Sequence, residues 1–177
     1  HDPCLLSAEG FAVDAVVCPE ISMTRYIRKL IEYPDSLQVR EFAGGRACLS
    51  SVRARAGAAA VGMRIGDLRV HNPELGLRIV AIYRRFADEP DRFVRCDGTT
   101  RIEPGDEVFV LAAREHLRQV LEAFHLRMGQ VARQVRRILI SGGSRVSLQL
   151  AQSLVAEPGR FHVKIIESDA RRCEELA

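Results

Sequence analysis

A glycine turn between two short apolar stretches is the feature that most constrains how this chain can fold. Residues 137–147 read RILISGGSRVS and residues 161–167 read FHVKIIE, with a helical stretch between them. An apolar strand that enters a glycine turn and a helix, followed by a second strand ending in an acid, is typical of the opening of a dinucleotide-binding βαβ unit. The sequence therefore predicts strand, helix and strand here, as the start of a nucleotide-binding lobe.

Length and composition indicate a soluble globular protein. The 177 residues allow one complete domain and part of another, and 47% hydrophobic residues suffice for an ordinary core. No apolar run has the length needed to span a bilayer, and residues 1–20 lack the basic start of a signal peptide. Because the chain has no initiator Met, we expect it to be a segment of a longer protein, without direct membrane insertion.

Charged and reactive side chains show no pattern of a catalytic, metal or nucleic-acid site. The net charge is +3 and the cations are spread along the chain, whereas a nucleic-acid binder usually clusters them. The five cysteines lack C-x-x-C spacing and the five histidines lack the spacing of paired metal ligands. We therefore predict no catalytic residue, no metal site, no nucleic-acid partner and reduced cysteines in the cytoplasm.

The rest of the chain combines short strands with amphipathic helices. A strand is predicted over residues 11–17 and a helix over residues 20–33, which Pro34 ends. A polar connector is predicted over residues 125–136. Between them, periodicity and turn residues predict strands at 37–42, 47–53, 77–83, 92–96 and 107–112, and helices at 61–68 and 114–124.

The order of these elements resembles the RCK modules, regulators of potassium conductance. Residues 61–68, VGMRIGDL, are similar to a short helix of that family, and residues 102–111, IEPGDEVFVL, are similar to its signature turn and strand. Residues 26–34, YIRKLIEYP, resemble the linker helix of members that carry two modules in tandem.

The resemblance implies an α+β fold, with a small RCK C-terminal-type subdomain flanked by partial Rossmann-like βαβ segments. It also implies the domain boundaries. Those are the tail of a preceding nucleotide-binding lobe (1–19), a linker helix (20–35), the RCK C-terminal subdomain (36–125) and the incomplete start of a second Rossmann lobe (137–177).

The same resemblance implies a cytoplasmic regulatory, ligand-sensing subunit rather than an enzyme. Such a subunit forms a homo-oligomer at the inner face of the membrane and gates a membrane potassium transporter of the Trk type. The intact parent would bind NAD(H) or an adenine nucleotide. Two alternatives stay open from the sequence: a fragment of an NAD-dependent oxidoreductase, and an oligomerisation module without a ligand.

The candidate cofactor-binding residues are Gly142, Gly143, Ser144 and Glu167. Counted from Gly142, the third position of the glycine pattern is Ser144, whose Cβ hinders close approach and whose hydroxyl can donate to phosphate. Glu167 follows Gly142 by 25 positions, a suitable place to accept hydrogen bonds from ribose hydroxyls. We expect the chain alone to bind NAD weakly or not at all.

Overall fold

The fold is known from a computed structural model that describes residues 10, 12, 16–71, 73–125 and 134–176. The chain divides into two compact units, one of residues 29–135 and one of residues 1–28 with 136–177. Most of the predicted strand at 11–17 and of the connector at 125–136 lies outside the described residues. Within the described part, no helix is long and apolar enough to cross a membrane.

Helix α1 (Pro19–Glu32) agrees with the helix predicted over residues 20–33 and contributes residues to both units. It ends two residues before Pro34, because a proline disfavours helical conformation in the residue that precedes it. Residue Ser36 then begins the first strand.

The larger unit is built on one antiparallel sheet of five strands in the order β1-β2-β5-β3-β4. The strands are β1 (Ser36–Phe42), β2 (Ala47–Arg53), β3 (Arg78–Arg84), β4 (Arg92–Val94) and β5 (Glu107–Ala113). A short 3-10 turn (Ala43–Gly45) joins β1 to β2, with Gly44 and Gly45 at positive φ. The predicted hairpin and the predicted α+β class are confirmed.

One face of this sheet forms the core together with helix α3 (Leu117–His125). Strand β5 alternates, so that every second residue is buried against the helix. The helix buries four side chains at the i, i+3, i+4, i+7 spacing of one face: Leu117, Val120, Leu121 and Phe124. These are the four apolar positions expected to face inward, and that prediction is confirmed.

Three predicted boundaries were wrong, and a long-range contact explains the first of them. The helix predicted at 61–68 is α2 (Ile65–His71), since Gly62 has a φ of 85° and donates to the Ile102 carbonyl at 2.8 Å. The helix predicted from residue 114 begins at 117, after a turn at 114–116. The strand predicted to residue 96 ends at Val94.

The smaller unit contains the predicted strand, helix and strand. Strands β6 (Arg137–Ser141) and β7 (His162–Ile166) are parallel, and helix α4 (Arg145–Val155) connects them. Helix α5 (Ala170–Leu176) follows. The Arg28 guanidinium on α1 donates to the Ser153 carbonyl at 2.6 Å and pairs with Glu157 just beyond α4. The βαβ prediction is confirmed.

Candidate functional site

The glycine turn directly follows β6 and is tied to the end of β7. Gly142 has a φ of 92°, a left-handed conformation that favours glycine over residues with a Cβ. Its N–H donates to the Ile166 carbonyl at 2.8 Å. Because the parallel register pairs Ser141 with Ile166, the residue after β7 comes directly beside the turn. That residue is Glu167.

Ser144 is the N-cap of helix α4. Its backbone is extended, and its Oγ accepts a hydrogen bond from the Ser147 N–H at 3.2 Å. The two hydroxyls of Ser144 and Ser147 are also hydrogen-bonded, at 3.0 Å. The serine at the third position of the glycine pattern thus satisfies an unpaired N–H of the first helical turn, and its hydroxyl is engaged by Ser147.

The Glu167 carboxylate accepts four hydrogen bonds. Oε2 accepts from the Gly143 N–H at 2.6 Å, and Oε1 accepts from the N–H groups of Ser168 at 2.6 Å and Asp169 at 3.0 Å. The Ser168 hydroxyl donates to Oε1 at 3.2 Å. Hydrogen bonds from the N–H groups of Asp169, Gly143 and Ser168 lower the Glu167 pKa from 4.5 to about 2, because they favour the charged form.

The peptide groups of Gly143 are engaged on both sides. Its N–H donates to Glu167, and its carbonyl accepts from the Arg172 guanidinium on helix α5. Gly143 itself is buried. Residues 143, 167 and 172, which are distant in sequence, therefore form one hydrogen-bonded clasp across the smaller unit, which we call the Gly143 clasp.

The four residues that the sequence singled out lie together. Gly142, Gly143 and Ser144 form the turn, and Glu167 contacts it through the Gly143 N–H. The sequence indicated that Glu167 follows the second strand, but not that its carboxylate accepts hydrogen bonds from the chain itself. It also did not indicate the hydrogen bond from Arg172 to the Gly143 carbonyl. Among the described residues, no cluster of three His, Cys, Asp or Glu side chains could hold a metal ion.

A second polar cluster in the larger unit was not foreseen from the sequence. Asp106 accepts a hydrogen bond from the Glu103 N–H at 2.8 Å. Its side chain is only 1% exposed, and both carboxylate oxygens accept from the Arg84 guanidinium, at 2.8 and 2.9 Å. Arg84 also donates to the Arg101 carbonyl and pairs with Glu103. Hydrogen bonding to Asp106 raises the Arg84 pKa.

Part of the larger unit matches a family model. Residues 49–125 match the family model of the TrkA-C domain. The matched segment runs from strand β2 to helix α3 and includes the Arg84–Asp106 pair.

Curated relatives match nearly the whole chain. Trk system potassium uptake protein TrkA of Halomonas elongata is 38% identical over 98% of the chain, and the protein of the same name from Vibrio alginolyticus is 36% identical over 98%. The chain spans about a third of the length of these relatives, 35% of each. A solved GsuK RCK domain aligns with 99% of the chain and 40% of its own length, at 16% identity and a TM-score of 0.40.

Proposed function

We propose that this chain is part of a cytoplasmic regulatory subunit of a potassium uptake system. The observation that carries the proposal is the similarity along 98% of the chain to proteins named Trk system potassium uptake protein TrkA. The match of residues 49–125 to the family model of the TrkA-C domain supports it. The proposed role is to sense a ligand and to bias a transporter, without catalysing a reaction.

The proposed partners are a membrane potassium transporter of the Trk type and further copies of the same subunit. The subunit would sit at the inner face of the membrane through the transporter. The proposed layout has the tail of one nucleotide-binding lobe at residues 1–19, a linker helix at 20–35, the C-terminal subdomain at 36–125 and the start of a second lobe from residue 137. The parallel β6–β7 pair supports the last of these assignments.

The proposed ligand of the second lobe is NAD(H) or an adenine nucleotide at Gly142, Gly143, Ser144 and Glu167. The left-handed Gly142, the start of helix α4 and an acid beside the turn support this site. We propose weak binding by the 177-residue chain, because the Glu167 carboxylate already accepts four hydrogen bonds.

A hybrid protein tests the transport role. In a strain that lacks TrkA, the matched third of the Halomonas elongata TrkA would be replaced by this chain, and rubidium uptake at low external potassium would be measured. We expect uptake well above that of the strain without TrkA. A second hybrid carrying Asp106→Ala, which removes the buried partner of Arg84, should give lower uptake because it lowers the stability of the larger unit. Uptake equal to that of the deletion strain, with the first hybrid present at normal levels, would contradict the proposal.

Chemical-shift mapping with NAD tests the nucleotide site. We expect a dissociation constant of about 1 mM or weaker, which corresponds to about 4 kcal/mol of binding free energy. The shifted amide signals should come from residues 142–144 and 167–169. No shifts at several millimolar NAD, or shifts confined to the larger unit, would rule out this site in the chain.

A further inference from the structure

The Glu167 carboxylate accepts a hydrogen bond from the glycine turn itself. In a βαβ nucleotide site, free N–H groups of the turn and of the following helix attract the phosphates. Here the Gly143 N–H is 2.6 Å from Glu167 Oε2. A negatively charged group of the chain itself therefore already binds a donor that a phosphate would use.

The hydrogen-bonding capacity of Glu167 is filled. An ionised carboxylate offers about four lone-pair sites, and Glu167 accepts from three N–H groups and one hydroxyl. Charge-assisted hydrogen bonds of this kind are stronger than neutral ones. A ribose hydroxyl that binds Glu167 therefore competes with these donors, of which the Gly143 N–H is the one distant in sequence.

Helix α5 is part of the same arrangement. The Arg172 guanidinium donates to the Gly143 carbonyl, while the Asp169 carboxylate accepts from the N–H groups of Arg171 at 2.9 Å and Arg172 at 3.4 Å. The glycine turn, the residues after β7 and the start of α5 thus share one network. A change at Gly143 reaches α5 through Glu167 and Arg172.

We infer that Glu167 is an internal ligand of the glycine turn and that the Gly143 clasp keeps this turn closed to anions. A nucleotide that uses the turn must displace the Glu167 carboxylate from the Gly143 N–H, and this displacement changes the contacts that begin α5. This inference concerns the regulation of the proposed nucleotide site and rests on that part of the proposed function. In this role Glu167 limits the access of anions to the glycine turn, in addition to accepting hydrogen bonds from ribose hydroxyls in the proposed site.

Hydrogen exchange and pyrophosphate binding on the full chain test the inference together. In Glu167→Ala, the Gly143 N–H should exchange faster, and inorganic pyrophosphate should bind about tenfold more tightly than to the wild type, since a like charge and a competing acceptor are both removed. Glu167→Gln, which keeps the shape of the side chain, should give an intermediate effect. The matched control is Glu174→Ala, which removes the same charge from an exposed position on α5 and should change neither measurement.

The outcomes separate the inference from the nucleotide site itself. Unchanged exchange at Gly143 in Glu167→Ala, or equal pyrophosphate affinity in this variant and a wild type that binds it, overturns the inference and leaves the site standing. Faster exchange with no pyrophosphate binding by any variant supports the closed turn and counts against a nucleotide site there. Faster exchange with tighter binding supports both.

Discussion

The Arg84–Asp106 pair offers a quantitative test of what stabilises the larger unit. The Asp106 side chain is 1% exposed, and the Arg84 side chain is 16% exposed. Asp106→Ala removes three hydrogen-bond acceptor contacts: two from the Arg84 guanidinium and one from the Glu103 N–H. Removing one member of a buried pair typically costs 3–5 kcal/mol, because the remaining charge is left without its partner.

The expected loss is at the lower end of that range, about 3 kcal/mol of unfolding free energy. Arg84 keeps two partners in the variant, the Arg101 carbonyl and the Glu103 carboxylate, so its charge is not isolated. Such a loss is a large part of the 5–15 kcal/mol that stabilises a typical domain. Urea unfolding followed by circular dichroism measures it, with the midpoint falling while the slope stays constant.

A second Arg–Asp pair of the same unit provides the control. Arg85 and Asp91 are 3.7 Å apart, and their side chains are 64% and 38% exposed. Asp91→Ala should cost less than about 0.5 kcal/mol, because solvent screens exposed pairs. If Asp106→Ala and Asp91→Ala lower the stability equally, the argument from burial is refuted.

Three further predictions concern packing and pH. Gly66→Ala should lower the free energy of unfolding in urea by about 1 kcal/mol, because the new Cβ would lie 3.0 Å from the Gly98 carbonyl oxygen. Gly98→Ala, which has open space around its Cβ, should change this free energy by less than about 0.5 kcal/mol. Phe124→Ala, at a fully buried position, should cost about 3–5 kcal/mol of unfolding free energy, and Phe93→Ala, at a residue that is 62% exposed, about 1 kcal/mol. Equal losses would contradict the assigned core. The Glu167 pKa is depressed from 4.5 to about 2, so its stabilising contribution is complete above pH 4.5 and disappears as the pH falls towards 2. The Tm difference between wild type and Glu167→Ala should follow that window, and a difference independent of pH from 6 to 2 would contradict it.

Local periodicity was enough to predict most of the fold. The buried face of α3 follows from the spacing of Leu117, Val120, Leu121 and Phe124, and the run at β5 identifies an apolar strand. The start of α2 did not follow, because Gly62 is held outside the helix by a hydrogen bond to Ile102, a residue from another part of the chain. A window of neighbouring residues contains no sign of such a contact.

The positions of the four candidate residues were predictable from the sequence, but their hydrogen bonding was not. The order of strand, turn, helix and strand places an acid beside a glycine turn, and the structure has Glu167 there. Whether that acid is open to a ligand depends on the register of β6 and β7 and on the turn at residues 168–169, which are three-dimensional properties. The Arg84–Asp106 pair was missed for the same reason, since β3 and the turn before β5 meet only when the sheet forms.

The position of β5 at the centre of the five-stranded sheet has a consequence for how the domain is made. Strand β5 pairs with β2 on one side and with β3 on the other, and Ala113 at its end lies opposite Ala47 of β2. During synthesis, the β1–β2 hairpin can form as soon as it leaves the ribosome, but β2 and β3 must wait for β5 before either gains its second neighbour. The middle of the sheet is therefore its last part to be completed, and nascent chains that stall before residue 107 would carry two separate pieces with exposed strand edges.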